Sequence, residues 1–289
     1  MMRDAAISFP MFGDFTINPS ASFELFGHTF YWYGTIIALG FILAVLYCSR
    51  TAGRYGLTGD DIFDFILWAL PLCVIGARLY FVAFDWDNFK NNLGDIIKIW
   101  EGGLAIYGAI IVGALTAYVW CKVKKKSTLA LFDVGSMGLL IGQLIGRWGN
   151  FMNREAFGAE TDVFCRMGLT RPGMETVYVH PTFLYESLWN LIGFTLLHIW
   201  VKKGKRQYDG QLFLLYVFWY GLGRMFIEGL RTDSLYIGGT GIRVSQVLGG
   251  VSALAALILL IVGAKKQHPP RYVDQIAAEE PQPASDGDI

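Results

Sequence analysis

Gln143-Leu-Ile-Gly146-Arg147-Trp-Gly149-Asn150-Phe-Met-Asn153-Arg154-Glu155-Ala-Phe-Gly158 starts inside a long apolar run and ends in a polar segment. It carries Arg147, Asn150, Asn153 and Glu155 to the depth of a lipid bilayer or its edge. A guanidinium in hydrocarbon costs from ~3 to well over 10 kcal/mol, so one at that depth calls for a partner or a ligand. Gly138, Gly142 and Gly146 recur every fourth residue just before it, which on a helix gives a smooth face for close packing. The stretch reads as a tightly packed transmembrane helix that delivers a cationic, amide-rich end to the membrane boundary.

The rest of the chain supports that reading. Of 289 residues, 54% are hydrophobic and only 17% charged, against about 25% charged in an ordinary soluble domain. With a mean hydropathy of +0.41, this predicts a polytopic membrane protein. The formal net charge of zero argues against nucleic acid as a partner. Cys48, Cys73, Cys121 and Cys165 show neither CxxC pairing nor metal-ligand spacing, so no disulfide framework and no metal site are expected. Residues 1–28 lack a basic start followed by an apolar core, and Pro10, Asn18 and Pro19 interrupt them. An uncleaved anchor is expected rather than a removable signal peptide.

Seven apolar runs approach bilayer length, at about 30–49, 62–84, 104–121, 129–149, 182–201, 210–229 and 243–264. Thr58-Gly-Asp60-Asp61 supplies a cap and early acids for the second, Pro71 is expected to kink it, and Pro181 starts the fifth. Cations cluster in alternate loops: Arg50 and Arg54; Lys122, Lys124, Lys125 and Lys126; Lys202, Lys203, Lys205 and Arg206; Lys265, Lys266 and Arg271. The positive-inside rule makes that side cytoplasmic, with the N-terminus outside and the C-terminus inside.

The predicted architecture is therefore all-α. An external segment, 1–29, precedes a seven-helix transmembrane domain, 30–264. That domain carries an interfacial arm at 85–103 and a small external cap, with room for short strands, at 154–180. A disordered cytoplasmic tail, 265–289, follows. No internal repeat supports inverted-repeat transporter architecture.

A second polar helix end lies in Gly221-Leu-Gly-Arg224-Met-Phe-Ile-Glu228-Gly-Leu-Arg231, whose three charged residues share one face at helical spacing. On the predicted topology it emerges on the same side as Arg147. Two arginines meeting there make an anion site, since guanidinium grips phosphate with two prongs. The plainer reading is an Arg224–Glu228 ion pair that only cements helix packing. Arg78 is a third cation near an external helix end, suited equally to binding and to snorkelling. His180 opens the fifth span ahead of Tyr185-Glu186, as a substrate contact or a structural cap. Tyr33 and Gln246 read either as site residues or as interfacial and packing residues. There is no Gly-x-Ser-x-Gly elbow, no His-Glu-x-x-His and no phosphate loop. Asp60-Asp61 and Glu279-Glu280 lie on the cytoplasmic side. A metal centre or an intramembrane protease is disfavoured, and what remains is an outward-facing site for an anionic amphiphile such as a phospholipid.

These blocks resemble the bacterial prolipoprotein diacylglyceryl transferases. The resemblance is closest in Gly146-Arg147-Trp-Gly149-Asn150-Phe-Met-Asn153-Arg154-Glu155-Ala-Phe-Gly158. It extends to Tyr31-Trp32-Tyr33-Gly34, Trp100-Glu101-Gly102-Gly103, His180-Pro181 with Tyr185-Glu186, and Arg224 to Arg231. The resemblance implies a seven-helix enzyme of the bacterial inner membrane that needs no cofactor. Its partners would be phosphatidylglycerol, prolipoprotein signal peptides with a lipobox cysteine, and membrane lipids. The diacylglyceryl group would pass to the cysteine as a thioether, releasing glycerol phosphate.

By the same resemblance, Arg147 and Arg224 act on the lipid phosphate, Asn150 hydrogen-bonds the headgroup and Tyr33 places substrate. Glu155 and Glu228 hold the arginines or handle protons, and Gly158 permits close backbone approach. Asn153, Arg231, His180 and Arg78 join the substrate-binding set. One departure stands out. Many family members carry a histidine, favoured as general base, where this chain has Tyr107 in Gly102-Gly103-Leu-Ala-Ile-Tyr107. A phenol of pKa ~10 is a poor base at neutral pH. Either Tyr107 only hydrogen-bonds substrate, or an acidic residue or water takes the thiol proton, with His180 a further candidate. The rival expectations are a transporter or flippase that uses the same arginines without chemistry, and a scaffold that binds exported chains.

Overall fold

The computed structural model describes residues 4–279 apart from 14, 237 and 239. Two compact units divide them, residues 1–47 with 133–269 and residues 48–132 with 270–289. The elements in order are β1 (Ala6–Ser8), β2 (Thr16–Ile17), β3 (Ser22–Leu25), β4 (His28–Tyr31), α1 (Trp32–Thr51), α2 (Gly59–Phe84), α3 (Trp86–Phe89), α4 (Ile106–Lys124), α5 (Thr128–Asn153), β5 (Met167–Thr170), β6 (Val177–Val179), α6 (Thr182–Lys202), α7 (Gln211–Ile227), α8 (Val244–Ala264) and α9 (Tyr272–Glu279). A long helix stands at each of the seven expected runs. Five stretches are long and apolar enough to cross a membrane: Trp32–Tyr55, Gly59–Phe84, Ile106–Lys124, Thr128–Asn153 and Val244–Ala264. The 17 residues of α7 rise about 26 Å, short of a ~30 Å hydrocarbon core. In α6, Glu186, Ser187 and Asn190 interrupt the apolar run and are buried.

The chain is mostly helical rather than all-α. Strands β2-β1-β5-β6 form an antiparallel sheet and β3-β4 a hairpin. β1, ahead of α1, pairs with β5, which lies between α5 and α6, Ala6 opposite Thr170, and β5 pairs in turn with β6, Met167 opposite Val179. The residues expected to form a cap thus share their sheet with the N-terminal segment. Ala5, Ile7, Met167, Leu169, Val179 and Phe183 form its core, with Phe151 packed against it.

Within this first unit the helices pack through glycines and indoles. A Cβ at Gly221 would lie 2.6 Å from the Gly249 carbonyl oxygen, so α7 and α8 touch backbone to backbone. Trp189 of α6 and Trp219 of α7 stack with centroids 4.4 Å apart, and each indole N–H donates to the other's carbonyl at 2.9 Å. Gly193 and Gly223 make room for those rings. Asp133 of α5, fully buried, accepts from Arg206 and from the Gly210 and Phe213 amides at the start of α7. Charge at a helix N-terminus ties those two helices together. Of the expected glycine stripe, Gly146 takes Ile37 of α1 at 3.2 Å from its missing Cβ, whereas a Cβ at Gly142 would meet nothing within 4 Å.

In the second unit, α2 and α4 cross where a Cβ at Gly108 would lie 2.3 Å from the Gly76 oxygen. Thr58 and Asp61 form a capping box, and Asp61 also pairs with Lys126 at 2.9 Å. Pro71 lies inside α2, which runs through it as one element. Residues 85–103 hold α3 and two 3₁₀ turns, Leu93–Ile97 and Ile99–Glu101. Within the stretch 265–289, expected as a disordered tail, residues 272–279 are helical. α9 forms at Tyr272–Glu279, and Tyr272 and Val273 lie against Gly56, where a Cβ would be 2.9–3.0 Å from them. Residues 280–289 lie outside the described residues.

Candidate active site

Glu186, in the second turn of α6, is the hub. Its carboxylate meets Arg147 of α5 at 2.6 Å, Arg231 at 3.2 Å and Arg224 of α7 at 3.5 Å. Arg147 and Arg224 reach the same oxygen, Oε2. The other terminal nitrogen of Arg224 sits against Glu228, and Arg231 closes on Asp233 at 2.7 Å. The spacing of Arg224, Glu228 and Arg231 suggested one helical face. Instead α7 ends at Ile227, Glu228–Leu230 is a 3₁₀ turn, and Arg231 is extended. The change of direction lets Arg231 approach Glu186 from a third side. Arg243 at the start of α8 donates to the Glu228 carbonyl at 2.5 Å and pins that turn.

The signature after Arg147 is held by polar contacts of its own. Arg147 donates to Asn150 Oδ1 at 3.3 Å, and Asn150 donates to Glu155 at 3.0 Å. Two residues here have left-handed backbone, Arg154 at φ 48° and Ala156 at φ 56°, which L side chains adopt only when the surroundings hold them. Arg154 supplies the hold. Only 2% exposed, it donates to the carbonyls of Ala5, Met152 and Pro19 and to the Asn18 side chain. Its burial pulls its pKa downward.

Gly158 then threads between two chains. Its amide donates to His180 O at 2.9 Å, and a Cβ there would lie 2.6 Å from His180 Cβ and 2.8 Å from Leu230 O. His180 Nδ1 is 3.3 Å from the Tyr185 hydroxyl, so just before α6 the histidine side chain meets the residue next to Glu186. Tyr33 lies against Gly149, where a Cβ would be 2.9 Å from its ring. Asn153, half-buried, is the last residue of α5.

The structure thus gathers Arg147, Asn150, Glu155, Arg224, Glu228 and Arg231 into one network, with Gly158, His180 and Tyr33 flanking it. Arg78 and Tyr107 belong to the second unit. Arg78 was expected among the lipid-binding cations, but its guanidinium is turned inward. It donates to the carbonyls of Ile96, Gly102, Gly103, Asp95 and Lys98 at 2.6–3.4 Å, and it lies over the rings of Phe81 and Phe89. Backbone carbonyls of residues 95–103 consume the charge, which makes Arg78 a scaffold for that arm. Tyr107 stands in the first turn of α4, 37% exposed and next to Tyr80. Gln246 donates to Met225 O at 2.9 Å, a packing contact between α8 and α7.

Sequence reasoning missed Glu186 as the centre. A carboxylate within an apolar run, on the side where the arginines emerge, was the available signal. Asn190, one turn further on the same face of α6, was missed as well.

The glutamates are sealed and the arginines are not: Glu186 and Glu228 side chains are 5% and 3% exposed, Arg147 and Arg224 20% and 16%. Each guanidinium offers five donors, of which the contacts above use two in Arg147 and two in Arg224. Donors therefore remain on both, and the two guanidiniums are held together by one shared oxygen. Among the described residues no group of three His, Cys, Asp or Glu is placed to hold a metal ion.

The family model described as prolipoprotein diacylglyceryl transferase matches residues 20–262. A Listeria welshimeri protein named phosphatidylglycerol–prolipoprotein diacylglyceryl transferase is 48% identical over 250 residues, covering 84% of this chain and 89% of that protein. A Listeria innocua protein of the same name is 47% identical over the same shares. One from Streptococcus equi subsp. equi is 42% identical over 84% of this chain and 94% of its own. No support for a transporter comes from these comparisons. The chain belongs to the prolipoprotein diacylglyceryl transferase family.

Proposed function

We propose that the chain transfers the diacylglyceryl group of phosphatidylglycerol to the lipobox cysteine of a prolipoprotein, with Arg147 and Arg224 on the lipid phosphate. The observation that carries this is their approach, from two helices, to the single oxygen Glu186 Oε2. A phosphate oxygen that reaches the pair would meet donors from both. The cysteine sulfur attacks the glyceryl carbon that bears the phosphate ester. The C–S bond forms as the C–O bond breaks, and glycerol phosphate leaves with the bond's electron pair. A thiol of pKa ~8.5 is only a few per cent ionised near neutrality, and a cationic surround raises that fraction. The same charges stabilise the departing anion, so positioning and preorganised charge supply the help without an acyl- or alkyl-enzyme intermediate.

Asn150, fixed between Arg147 and Glu155, is assigned to the headgroup, and Tyr33 beside Gly149 to substrate placement. Glu155 and Glu228 hold the arginines or carry protons, and Asn153, Gly158, Arg231 and His180 line or shape the site. An acidic residue or water accepts the thiol proton.

In the membrane we assign α1, α2, α4, α5, α6, α7 and α8 as seven crossings, with the site toward the outer leaflet and the lysine-rich loops inside. The polar residues of α6 point inward, while Leu188, Leu191, Ile192, Leu196 and Ile199 are exposed on its other side, as a lipid-facing helix requires. Residues 154–180 with the N-terminal strands form an external cap. Residues 85–103, which expose Trp86, Ile97 and Trp100, form an interfacial arm on the membrane lipids.

The test uses purified protein, phosphatidylglycerol vesicles and a lipobox peptide. A thioether-linked diacylglyceryl peptide is expected, with turnover lost in Asn150→Ala while the protein stays folded. Lipid movement between leaflets without a covalent product would instead establish the transporter reading.

A further inference from the structure

Asn190 lies one turn beyond Glu186 on the inner face of α6, 3% exposed, and its Oδ1 has no hydrogen-bond partner within the protein. An amide oxygen buried this way costs ~1–3 kcal/mol, so it is kept where something else completes it. Asn190 also lines a cleft between α6 and α7, walled besides by Glu186, Tyr220, Arg224 and Ile227. The cleft measures about 180 Å³ with its open mouth, and its enclosed part has room for one water-sized group.

We propose that Asn190 Oδ1 accepts a hydrogen bond from a headgroup hydroxyl of phosphatidylglycerol and so selects for a headgroup that donates. The inference rests on the assignment of Arg224 to the lipid phosphate. With the phosphate on Arg224, the alcohol esterified to it enters the adjoining cleft. What that cleft lacks at Asn190 is a donor, and a hydroxyl matches the size of its enclosed part. An ammonium headgroup also donates, and with Arg147, Arg224 and Arg231 balanced by Glu186, Glu228 and Asp233 the contact at Asn190 separates headgroups that donate from those that do not. A trimethylammonium group has no donor at all.

The experiment compares two lipids as diacylglyceryl donors to a lipobox peptide: phosphatidylglycerol, and phosphatidylmethanol, whose headgroup has no hydroxyl. In the full-length protein kcat/KM should favour phosphatidylglycerol by at least about tenfold. Asn190→Leu should shrink that ratio to below about threefold. Asn190→Asp, which keeps an acceptor oxygen, should preserve it. A fold defect lowers both lipids alike and leaves the ratio in place, so the ratio reads the contact itself. For a variant with no turnover, calorimetric binding of the two lipids carries the same comparison. An unchanged ratio in Asn190→Leu overturns the inference, and so does loss of the ratio in Asn190→Asp. Failure of the underlying reading looks different: Arg224→Ala would then retain turnover on both lipids, whatever Asn190 does.

Discussion

Replacing Glu186 with glutamine removes one charge and leaves the shape, yet it strips three guanidiniums of their common partner. The contacts at 2.6, 3.2 and 3.5 Å are charge-assisted hydrogen bonds or close ion pairs, each of order ~1.5–3 kcal/mol. Loss of one partner of a buried ionic cluster costs ~3–5 kcal/mol in general. The arginine side chains keep 12–20% exposure and two of them have a second carboxylate, which points to the lower end, about 3 kcal/mol. Spent on positioning, that corresponds to a drop in kcat/KM on the order of 10²-fold. Thioether formation from phosphatidylglycerol vesicles and a lipobox peptide measures the drop, and thermal unfolding in detergent reports what appears as stability. Glu186→Asp, which keeps the charge one methylene short, should recover part of the loss. Wild-type turnover together with an unchanged Tm in Glu186→Gln would refute the hub.

Arg78→Ala should free residues 95–103 from five backbone contacts and make that arm cleavable by protease in the folded protein, read by mass spectrometry of early fragments. Gly158→Ala must displace His180 or the Leu230 carbonyl, 2.6 and 2.8 Å from the new methyl. We expect turnover to fall at least about tenfold, with a cost of ~1–3 kcal/mol from overpacking measured by unfolding. Asp233 has its pKa lowered, first by its hydrogen bond to Arg231. A depressed carboxyl stabilises the fold above its unfolded pKa, and that support fades as pH falls through the lower, folded value. Its side chain is 50% exposed, so solvent screening keeps the contribution under about 1 kcal/mol. Asp233→Asn should show less acid-induced loss of Tm below about pH 4 than the parent.

Helix positions were the most legible feature of the sequence, because bilayer-length apolar runs admit few alternatives. The site was legible in part. Arg147 and Asn150 stood out as polar groups where hydrocarbon was expected, and Arg224 with Glu228 by helical spacing. Glu186 did not: its place inside an apolar run marked it as unusual, but the convergence of three cations from other segments on it is set only by the fold. Arg78 misled for the converse reason. A buried arginine is as well satisfied by carbonyls as by a lipid, and only the folded arm reveals which. The sheet joining residues 6–8 to 167–170 depends on pairing across more than 150 residues, which short strands at either end do not announce. The ordered α9 rests on Tyr272 finding Gly56, a contact equally invisible in a polar tail.

A double-mutant cycle between Arg147 and Arg224 tests most directly whether two guanidiniums serve one phosphate. kcat/KM for phosphatidylglycerol is measured in the parent, Arg147→Lys, Arg224→Lys and the pair. Lysine keeps the charge but not the two-pronged grip. Each single change should cost at least about tenfold, and the double change less than their product, by a coupling of ~1 kcal/mol or more. Costs that simply multiply, within ~0.3–0.5 kcal/mol, or either single variant at the parental rate, would contradict a shared phosphate.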